Sequence, residues 1–276
     1  MNTDSLPSRI ISSGAARLPV TETGHGDALL CVHAGVADSR MWLPQMCALK
    51  EARRVIAFDQ RGFGESQYSP ESFSRAADAL AVMDALNMPS ATLMGCSMGG
   101  RVAIDVALNF PARVKALVLV AASVAGAPQP EHYSITIQAK LDAADAAETR
   151  GELDAVNELE TQLWLDGPEA RAGRVGGKIR ELLIDMNGIA LRAPPVGEER
   201  IDTSCWERIE EISVPTLVIW GTLDFPHIVA RMRELVRRLP NARWHVMADA
   251  AHLPGLERPG EFNAVVGDFL RESVGG

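Results

Sequence analysis

The sequence has few cysteines and too little positive charge for several classes of protein. Four cysteines occur among 276 residues, at Cys31, Cys47, Cys96 and Cys205. Their wide spacing gives neither a paired metal-ligand pattern nor a small disulfide framework, so we expect reduced thiols and no metal site. Lys and Arg number 27 against 36 Asp and Glu, which gives a net charge of -9. This balance argues against nucleic acid and anionic membranes as partners, because binding to phosphates needs clustered basic side chains.

The sequence also has no long apolar run. The longest mostly apolar stretch, Ala116 to Ala127, is shorter than the ~20 residues that a membrane-spanning helix needs. The start, Met1 to Ser5, lacks the basic and apolar segments of a secretory signal. We therefore expect no membrane span and a cytoplasmic location.

Short apolar runs separated by helical patterns fill most of the chain. Runs rich in Val, Ile and Leu predict buried parallel strands at Ala28–His33, Arg54–Asp59, Ala91–Gly95, Lys115–Ala121, Thr216–Gly221 and Arg243–Met247. Between them, apolar residues at helical spacing predict helices, as in Ser72–Leu86. Repeated alternation of strand and helix predicts an α/β fold with a mostly parallel central sheet flanked by helices.

The alternation is interrupted once, by about ninety residues between the strand ending near Ala122 and the one starting near Val214. The interval opens with the breaker-rich segment Ala125–Pro130, and its body from Glu131 to Trp164 is rich in Ala, Glu and Leu, which favours helix. We predict a core domain of residues 1–125 and 213–276 with a helical cap inserted at 126–212.

The segment Gly95-Cys96-Ser97-Met98-Gly99 fits the pattern G-x-S-x-G. An apolar strand leads into it and the helix-compatible stretch Met98–Asn109 follows, which is the context of a nucleophile elbow. Ser97 is the predicted nucleophile, because a sharp turn flanked by glycines projects its hydroxyl. Two alternatives are a phosphate-binding turn and a nucleophilic Cys96, although a residue beside the central one is expected to pack underneath.

A serine nucleophile needs a base, and the base needs an acid that orients it. His252 follows the last predicted strand, and Asp224 follows the strand before it, so both emerge at the ligand-binding edge of the sheet. The less suitable histidines lie within a strand, before the first core strand or at helix starts: His245, His25, His132 and His227. Asp249 is a rival acid that we expect only to shape the histidine loop.

Two loops complete the predicted site. The loop after the first core strand, from His33 to Asp38, is expected to bring the backbone N–H of Gly35 to the oxyanion beside that of Met98. His33 is expected to brace this loop through hydrogen bonds to backbone. Asp59 and Arg61, in the turn after the second strand, are expected to tie loops together and to take no part in catalysis.

These motifs and their order resemble the α/β-hydrolase superfamily, in which the serine comes first, then the acid, then the histidine. The resemblance includes the HxG-type loop at His33-Ala34-Gly35, the D-x-R-G-x-G-x-S turn from Asp59 to Ser66 and the Gly-x-x-Asp from Gly221 to Asp224. Many relatives have His-Gly where this chain has His33-Ala34, which leaves open whether Gly35 or Val36 supplies the second N–H. Trp164–Pro168 and the cap placement look like small bacterial esterases and lactonases, among them relatives of 3-oxoadipate enol-lactonase and of cofactor-free haloperoxidases.

The resemblance implies a serine hydrolase that cleaves a small carboxylic ester or lactone through an acyl-enzyme, without a metal or organic cofactor. A serine at the elbow argues against the dehalogenases and epoxide hydrolases of this fold, which use aspartate there. The expected walls of the substrate pocket are Val36, Trp164, Phe225 and Met98. Alternatives are hydrolysis of a carbon–carbon bond in a ring-cleavage diketone and a non-catalytic receptor for small ligands. The sequence leaves a homo-oligomer open.

Overall fold

The computed structural model describes residues 8–274 of the chain. The start of the chain, where the absence of a signal pattern was noted, lies outside the described residues. Within the described range, no helix is long and apolar enough to cross a membrane. Cys31, Cys96 and Cys205 are present as buried thiols.

The described strands are β1 (Ser8–Ser13), β2 (Ala16–Thr23), β3 (Ala28–Val32), β4 (Arg54–Phe58), β5 (Gln67–Tyr68), β6 (Ala91–Cys96), β7 (Val114–Val120), β8 (Thr216–Gly221) and β9 (Ala242–Met247). The described helices are α1 (Leu43–Leu49), α2 (Arg75–Ala85), α3 (Met98–Asn109), α4 (Ile135–Thr149), α5 (Leu153–Thr161), α6 (Gly177–Leu191), α7 (Pro226–Arg238), α8 (Pro254–Glu257) and α9 (Pro259–Val274).

One sheet in the order β1-β2-β4-β3-β6-β7-β8-β9 forms the centre of the molecule, with β5 paired to β2. All pairs from β4 to β9 along this order are parallel, whereas the pairs of β2 are antiparallel. Helices α2, α3 and α7 pack on one face through residues such as Val82, Val102 and Met232, and α1 and α9 pack on the other through Met46 and Phe262. The predicted α/β fold with a mostly parallel sheet between two helical layers is confirmed.

The six predicted strands correspond to β3, β4, β6, β7, β8 and β9, with ends that differ by at most one residue. Three strands were missed, β1, β2 and β5, which form the antiparallel part of the sheet. In β2 only every second residue is buried, namely Ala16, Leu18 and Val20. A search for continuous apolar runs finds strands buried on both faces and overlooks such one-sided strands.

The long interval between β7 and β8 contains α4, α5 and α6, together with one turn of π-helix at Gln162–Asp166. The helix propensity of Glu131–Trp164 is borne out by α4 and α5, while α6 was not predicted. Two glycines, Gly177 and Gly188, lower the helix propensity of α6. The cap boundaries at 126 and 212 stay a prediction.

Candidate active site

Ser97 lies between the end of β6 and the start of α3, with a backbone conformation of φ 52° and ψ -113°. Left-handed φ values are costly for a residue with a side chain, so the surrounding structure must hold it in place. The Ser97 N–H donates to the carbonyl of Val120 at 2.9 Å, and the Ser97 carbonyl accepts from the N–H of Ser123 at 3.0 Å. The neighbouring strand β7 and the loop after it therefore fix the turn, and Ser97 itself is partly exposed.

Glycines around Ser97 permit a close approach of backbones. A Cβ added to Gly99 would lie 2.0 Å from the carbonyl oxygen of Val32 at the end of β3. A Cβ added to Gly95 would lie 2.2 Å from the carbonyl oxygen of Gly99. No side chain fits at either distance, so the turn after β6 needs glycine on both sides of Ser97.

Asp224 and His252 form a buried pair at the ends of β8 and β9. His252 Nδ1 lies 2.8 Å from Asp224 Oδ2, and the side chains are 2% and 0% exposed, respectively. Asp224 Oδ1 accepts from the backbone N–H of Phe225 at 2.7 Å, which fixes the carboxylate. Because the carboxylate accepts the proton on Nδ1, the lone pair of Nε2 is left for another partner.

The histidine loop packs directly against the strand that carries Ser97. The thiol of Cys96 donates to the carbonyl of His252, with 3.7 Å between sulfur and oxygen. Burial raises the pKa of the Cys96 thiol, so it is protonated at neutral pH and is a poor nucleophile. Cys96 therefore packs beneath the turn, as the sequence suggested.

A second set of contacts, absent from the sequence analysis, holds the histidine loop to the segment after α5. The N–H of His252 donates to the carbonyl of Trp164 at 3.3 Å, and the N–H of Ala251 donates to Glu257 at 2.9 Å. Arg174 pairs with Glu257 and donates to the carbonyl of Asp249 at 2.8 Å. The Glu257 side chain is 2% exposed, and burial raises its pKa although Arg174 opposes the effect. A lone Glu and a lone Arg 83 positions apart give no pattern by which this contact could have been found.

The loop after β3 lies beside the start of α3. A Cβ on Gly35 would lie 3.9 Å from the Cβ and the sulfur of Met98, and Gly35, Val36 and Met98 are all partly exposed. His33 braces the loop as expected: its Nδ1 bonds to the carbonyl of Ala34 at 2.8 Å, and its Nε2 accepts from a backbone N–H at 3.1 Å. The structure thus places Gly35 next to Met98, and their role as oxyanion donors stays a prediction.

The remaining loop residues make structural contacts. Asp59 accepts from the N–H groups of Ser39 and Glu65, which ties the loop after β3 to the turn after β4. Arg61 pairs with the buried Asp78 of α2 at 2.8 Å and donates to the carbonyl of Ser13, at the end of β1, at 2.6 Å. Asp59 thus ties two loops together as predicted, whereas Arg61 ties its turn to a helix and to the end of a strand.

Two of the predicted pocket residues are in contact with the histidine or with each other. The ring centroid of Trp164 lies 4.6 Å from that of His252 and 4.7 Å from that of Phe225, which is buried. Val36 packs instead against the apolar cluster on the side of α1 and α9. The segment between β7 and β8 thus supplies an aromatic wall beside His252.

The rival residues have other partners. His245 pairs with Glu261 at 2.9 Å, and Asp249 donates its N–H to the hydroxyl of Thr222 from a left-handed turn in the histidine loop. His227 packs its ring against Phe225 at 5.5 Å. Of the described histidines and aspartates, only His252 and Asp224 pair at the ends of neighbouring parallel strands.

Comparison with known proteins gives one family and several relatives. A family model described as the alpha/beta hydrolase fold matches residues 27–259. The chain is 28% identical to 3-oxoadipate enol-lactonase 1 of Acinetobacter baylyi over 85% of each chain. It is 28% identical to 2-hydroxy-6-oxo-6-phenylhexa-2,4-dienoate hydrolase of Burkholderia cepacia over 92% of this chain and 91% of the relative.

Among solved structures, a thermophilic esterase from Thermogutta terrifontis superimposes with a TM-score of 0.76 at 26% identity. The match covers 97% of this chain and 99% of the esterase.

Proposed function

This chain belongs to the alpha/beta hydrolase fold family, and we propose that it is a serine hydrolase that cleaves a carboxylic ester or lactone through an acyl-enzyme on Ser97. The observation that carries the proposal is the buried hydrogen bond of 2.8 Å between His252 and Asp224. The loop of His252 packs against Cys96, the residue before Ser97. An imidazole oriented by a carboxylate is the base that a serine hydroxyl requires.

In the proposed reaction, His252 accepts the proton of Ser97 while the oxygen attacks the carbonyl carbon of the substrate. Asp224 keeps the Nδ1 proton in place and stabilises the imidazolium that forms. The imidazolium then protonates the leaving alcohol, and an ester bond to Ser97 remains. Water, activated by His252, hydrolyses this ester and restores the free serine.

The negative oxygen of the tetrahedral intermediate would be bound by the backbone N–H groups of Met98 and Gly35. Met98 is the first residue of α3, where free N–H groups point outwards and the helix dipole favours negative charge. Gly35 is close to Met98 in space. Val36, the next residue of this loop, is the alternative source of the second N–H.

We further propose that residues 126–212 form a helical cap over this site and select a small-molecule substrate through Trp164, Phe225, Val36 and Met98. The contact of Trp164 with His252 supports the placement of the cap.

The proposal includes no metal or organic cofactor, because the mechanism needs none. We also propose a cytoplasmic location.

A second candidate reaction is hydrolysis of a carbon–carbon bond in a ring-cleavage diketone. It is favoured by the 28% identity to the dienoate hydrolase of Burkholderia cepacia over most of both chains. Turnover of vinylogous diketones would be compared with that of nitrophenyl esters. A kcat/KM for the diketone above that of every ester would replace the first proposal by the second.

The experiment that tests the proposed function compares Ser97→Ala with Cys96→Ala in the hydrolysis of 4-nitrophenyl butyrate. We expect Ser97→Ala to lower kcat by at least about 10⁴-fold, since the nucleophile is lost. Cys96→Ala is the matched control, because it changes the neighbouring side chain by a similar volume, and it should retain hydrolysis. Turnover by Ser97→Ala at the wild-type rate would refute the assignment.

A fluorophosphonate probe separates an enzyme from a non-catalytic receptor on the same fold. We expect the probe to label wild-type protein at Ser97 and to leave Ser97→Ala unlabelled. A wild-type protein that binds esters without being labelled would be a receptor.

A further inference from the structure

Beyond the aromatic wall beside His252 lies a second group of rings that the proposed mechanism does not use. The ring centroids of Tyr133 and His227 lie 5.5 Å apart, and they lie 6.0 Å and 5.5 Å, respectively, from that of Phe225. Phe225 in turn contacts Trp164, which contacts His252. Tyr133 and His227 are thus linked to the ring of His252 through Phe225 and Trp164.

Helix α7 adds a cation to this group. Arg231 follows His227 by four residues, so the two side chains lie one above the other on the same face of the helix. Because the ring of His227 packs on those of Tyr133 and Phe225, this face of α7 is the one turned towards the group. Burial lowers the pKa of Arg231, and electrostatic interactions with Tyr133 and Asp224 partly oppose that shift. Arg233, by contrast, is exposed and lines a groove of about 400 Å³ together with Val229. Arg233 follows His227 by six residues and therefore lies on a different face of the helix from Arg231.

Polar atoms in this group lack partners. Nδ1 of His227 is shielded from solvent and has no hydrogen-bond partner. The half-buried Arg231 makes no hydrogen bond or ion pair with any residue between 8 and 274, and its burial lowers its pKa more than Tyr133 and Asp224 raise it. A half-buried guanidinium without an acceptor is partly desolvated with no compensating hydrogen bond, so an anion bound here would supply the missing acceptor.

The imidazole of His227 suits an anion as a hydrogen-bond donor. Burial and the neighbouring Arg231 lower the pKa of His227 to about 4. The ring is therefore neutral at pH 7 and carries one N–H that can donate. A planar guanidinium with one further donor matches a carboxylate, which can accept two parallel N–H bonds from Arg.

Building on the proposed function, we propose that Arg231 and His227 bind a carboxylate carried by the substrate, so that the preferred ester or lactone is an anion with its charge away from the scissile bond. Trp164 and Phe225 lie between the two sites and would contact the apolar chain that joins the reacting carbonyl to this carboxylate. Half-esters of dicarboxylic acids belong to this class.

The first test measures selectivity on each side of the ester. The acyl arm compares kcat/KM for 4-nitrophenyl hydrogen adipate with that for 4-nitrophenyl hexanoate, and the alcohol arm compares 6-acetoxyhexanoate with hexyl acetate. We expect a preference for the anion of about 10- to 100-fold in one arm, as for a charge-assisted hydrogen bond. The arm that shows the preference identifies the part of the substrate that carries the charge.

Variants assign the preference to Arg231. In Arg231→Gln the ratio of kcat/KM for the anionic substrate to that for the neutral one should fall close to one. In Arg231→Lys, which keeps the charge and loses the planar guanidinium, this ratio should take an intermediate value. Arg233→Gln, which removes the exposed arginine of the same helix, is the matched control and should keep the wild-type ratio. Equal rates for anionic and neutral substrates in both arms of the wild-type protein, or a preference that survives Arg231→Gln, would overturn the proposal.

A binding measurement keeps the result independent of turnover. Isothermal titration of wild-type protein with hexanoate and with the neutral hexanamide should show tighter binding of hexanoate, and Arg231→Gln should abolish the difference. If fluorophosphonate does not label Ser97 and no ester is hydrolysed, the proposed function fails, and hexanoate binding alone then decides the carboxylate site. If esters are hydrolysed and hexanoate binds no better than hexanamide, only the carboxylate site fails.

Discussion

The strained backbone of Ser97 is possible because the residues packed around it are glycines, which lack a side chain. Between Gly99 and the carbonyl of Val32 there is no space for a methyl group. An added Cβ must push α3 away from β3, and the two sides of the site lie on these elements. Ser97, the proposed nucleophile, and the loop after β3 are therefore coupled through one glycine.

We expect Gly99→Ala to lower the free energy of unfolding by about 1–3 kcal/mol, the usual cost of overpacking a dense core. Hydrolysis of nitrophenyl esters should be lost in the fraction that still folds, because the displaced helix carries the N–H of Met98. Urea unfolding and ester assays measure the two effects. Gly176→Ala is the control, since a Cβ there meets no atom within 4 Å, and an equal loss in both variants would contradict this reading.

The sequence offers two candidates for the acid, Asp224 and Asp249. Only Asp224 contacts His252. We expect Asp224→Asn to lower kcat by roughly 10⁴-fold, since an amide favours the wrong tautomer of the imidazole. Asp249→Asn keeps a residue that tolerates the left-handed turn at this position and should have little effect. Circular dichroism would confirm that both variants fold.

At the level of single residues, the sequence predicts only those site residues whose place follows from the order of strands in the chain. Asp224 and His252 could be paired because each follows a strand, and the ends of neighbouring parallel strands meet at one edge of a sheet. His227 and Tyr133 could not be paired with them. Their rings meet where α7 contacts the segment that precedes α4, and no spacing in the chain encodes that contact.

Among the elements, the histidine loop and the segment after α5 behave as one unit. Arg174 bonds to the carbonyls of Leu165, Asp166 and Asp249 and to the carboxylate of Glu257. Glu257 accepts from the N–H of the residue before His252. The position of the proposed base thus depends on an arginine from the predicted cap.

We expect Arg174→Met to destabilise the fold by about 2–4 kcal/mol, because Glu257 would remain buried without its partner. In the folded protein, ester hydrolysis should fall by between about tenfold and hundredfold, since His252 would lose its fixed position. Thermal unfolding and kcat at a temperature well below the transition are the measurements. The exposed Arg171→Met is the control, and wild-type activity in Arg174→Met would show that the loop holds its shape unaided.

The strands differ in how clearly their burial can be recognised from the sequence. Parallel strands that are covered on both faces, such as β6 and β7, are almost uniformly apolar and were found to within one residue. The prediction of a buried strand was wrong for β9, because it is the edge strand of the sheet and Trp244 and Val246 are exposed. The hairpin of β1 and β2 was missed although Gly14, at φ 53°, stands in its two-residue turn and every second residue of β2 is buried. Its signal has a period of two, with Pro19 in the middle, and is weaker than a continuous run.

Across the whole molecule, burial keeps two histidines neutral. Burial lowers the pKa of His33 and lowers that of His227 to about 4. Both values lie below the pKa of about 6.5 that an unfolded histidine has, so the unfolded chain binds more protons as the pH falls. The stability that these groups contribute is present above pH 6.5 and is lost as the pH falls through the folded values.

We therefore expect the free energy of unfolding to decrease between pH 7 and pH 5, and to decrease less steeply in His227→Gln. Urea unfolding at half-unit steps of pH measures both slopes. The difference between the two proteins isolates His227 from the buried carboxyls, which titrate in both. Parallel slopes would show that His227 titrates alike in the folded and unfolded chain.

Strands β7 and β8 are adjacent in the sheet, yet residues 121–215 separate them in the chain. The entropy of closing a loop grows only with the logarithm of its length, about 0.6 kcal/mol for each doubling. Lengthening an ordinary crossover of about twenty residues to this size therefore costs only about 1.4 kcal/mol. Evolution can insert, delete or replace material at this junction while the sheet keeps its pairing, so the chemistry of the serine can be inherited unchanged while the choice of substrate diverges.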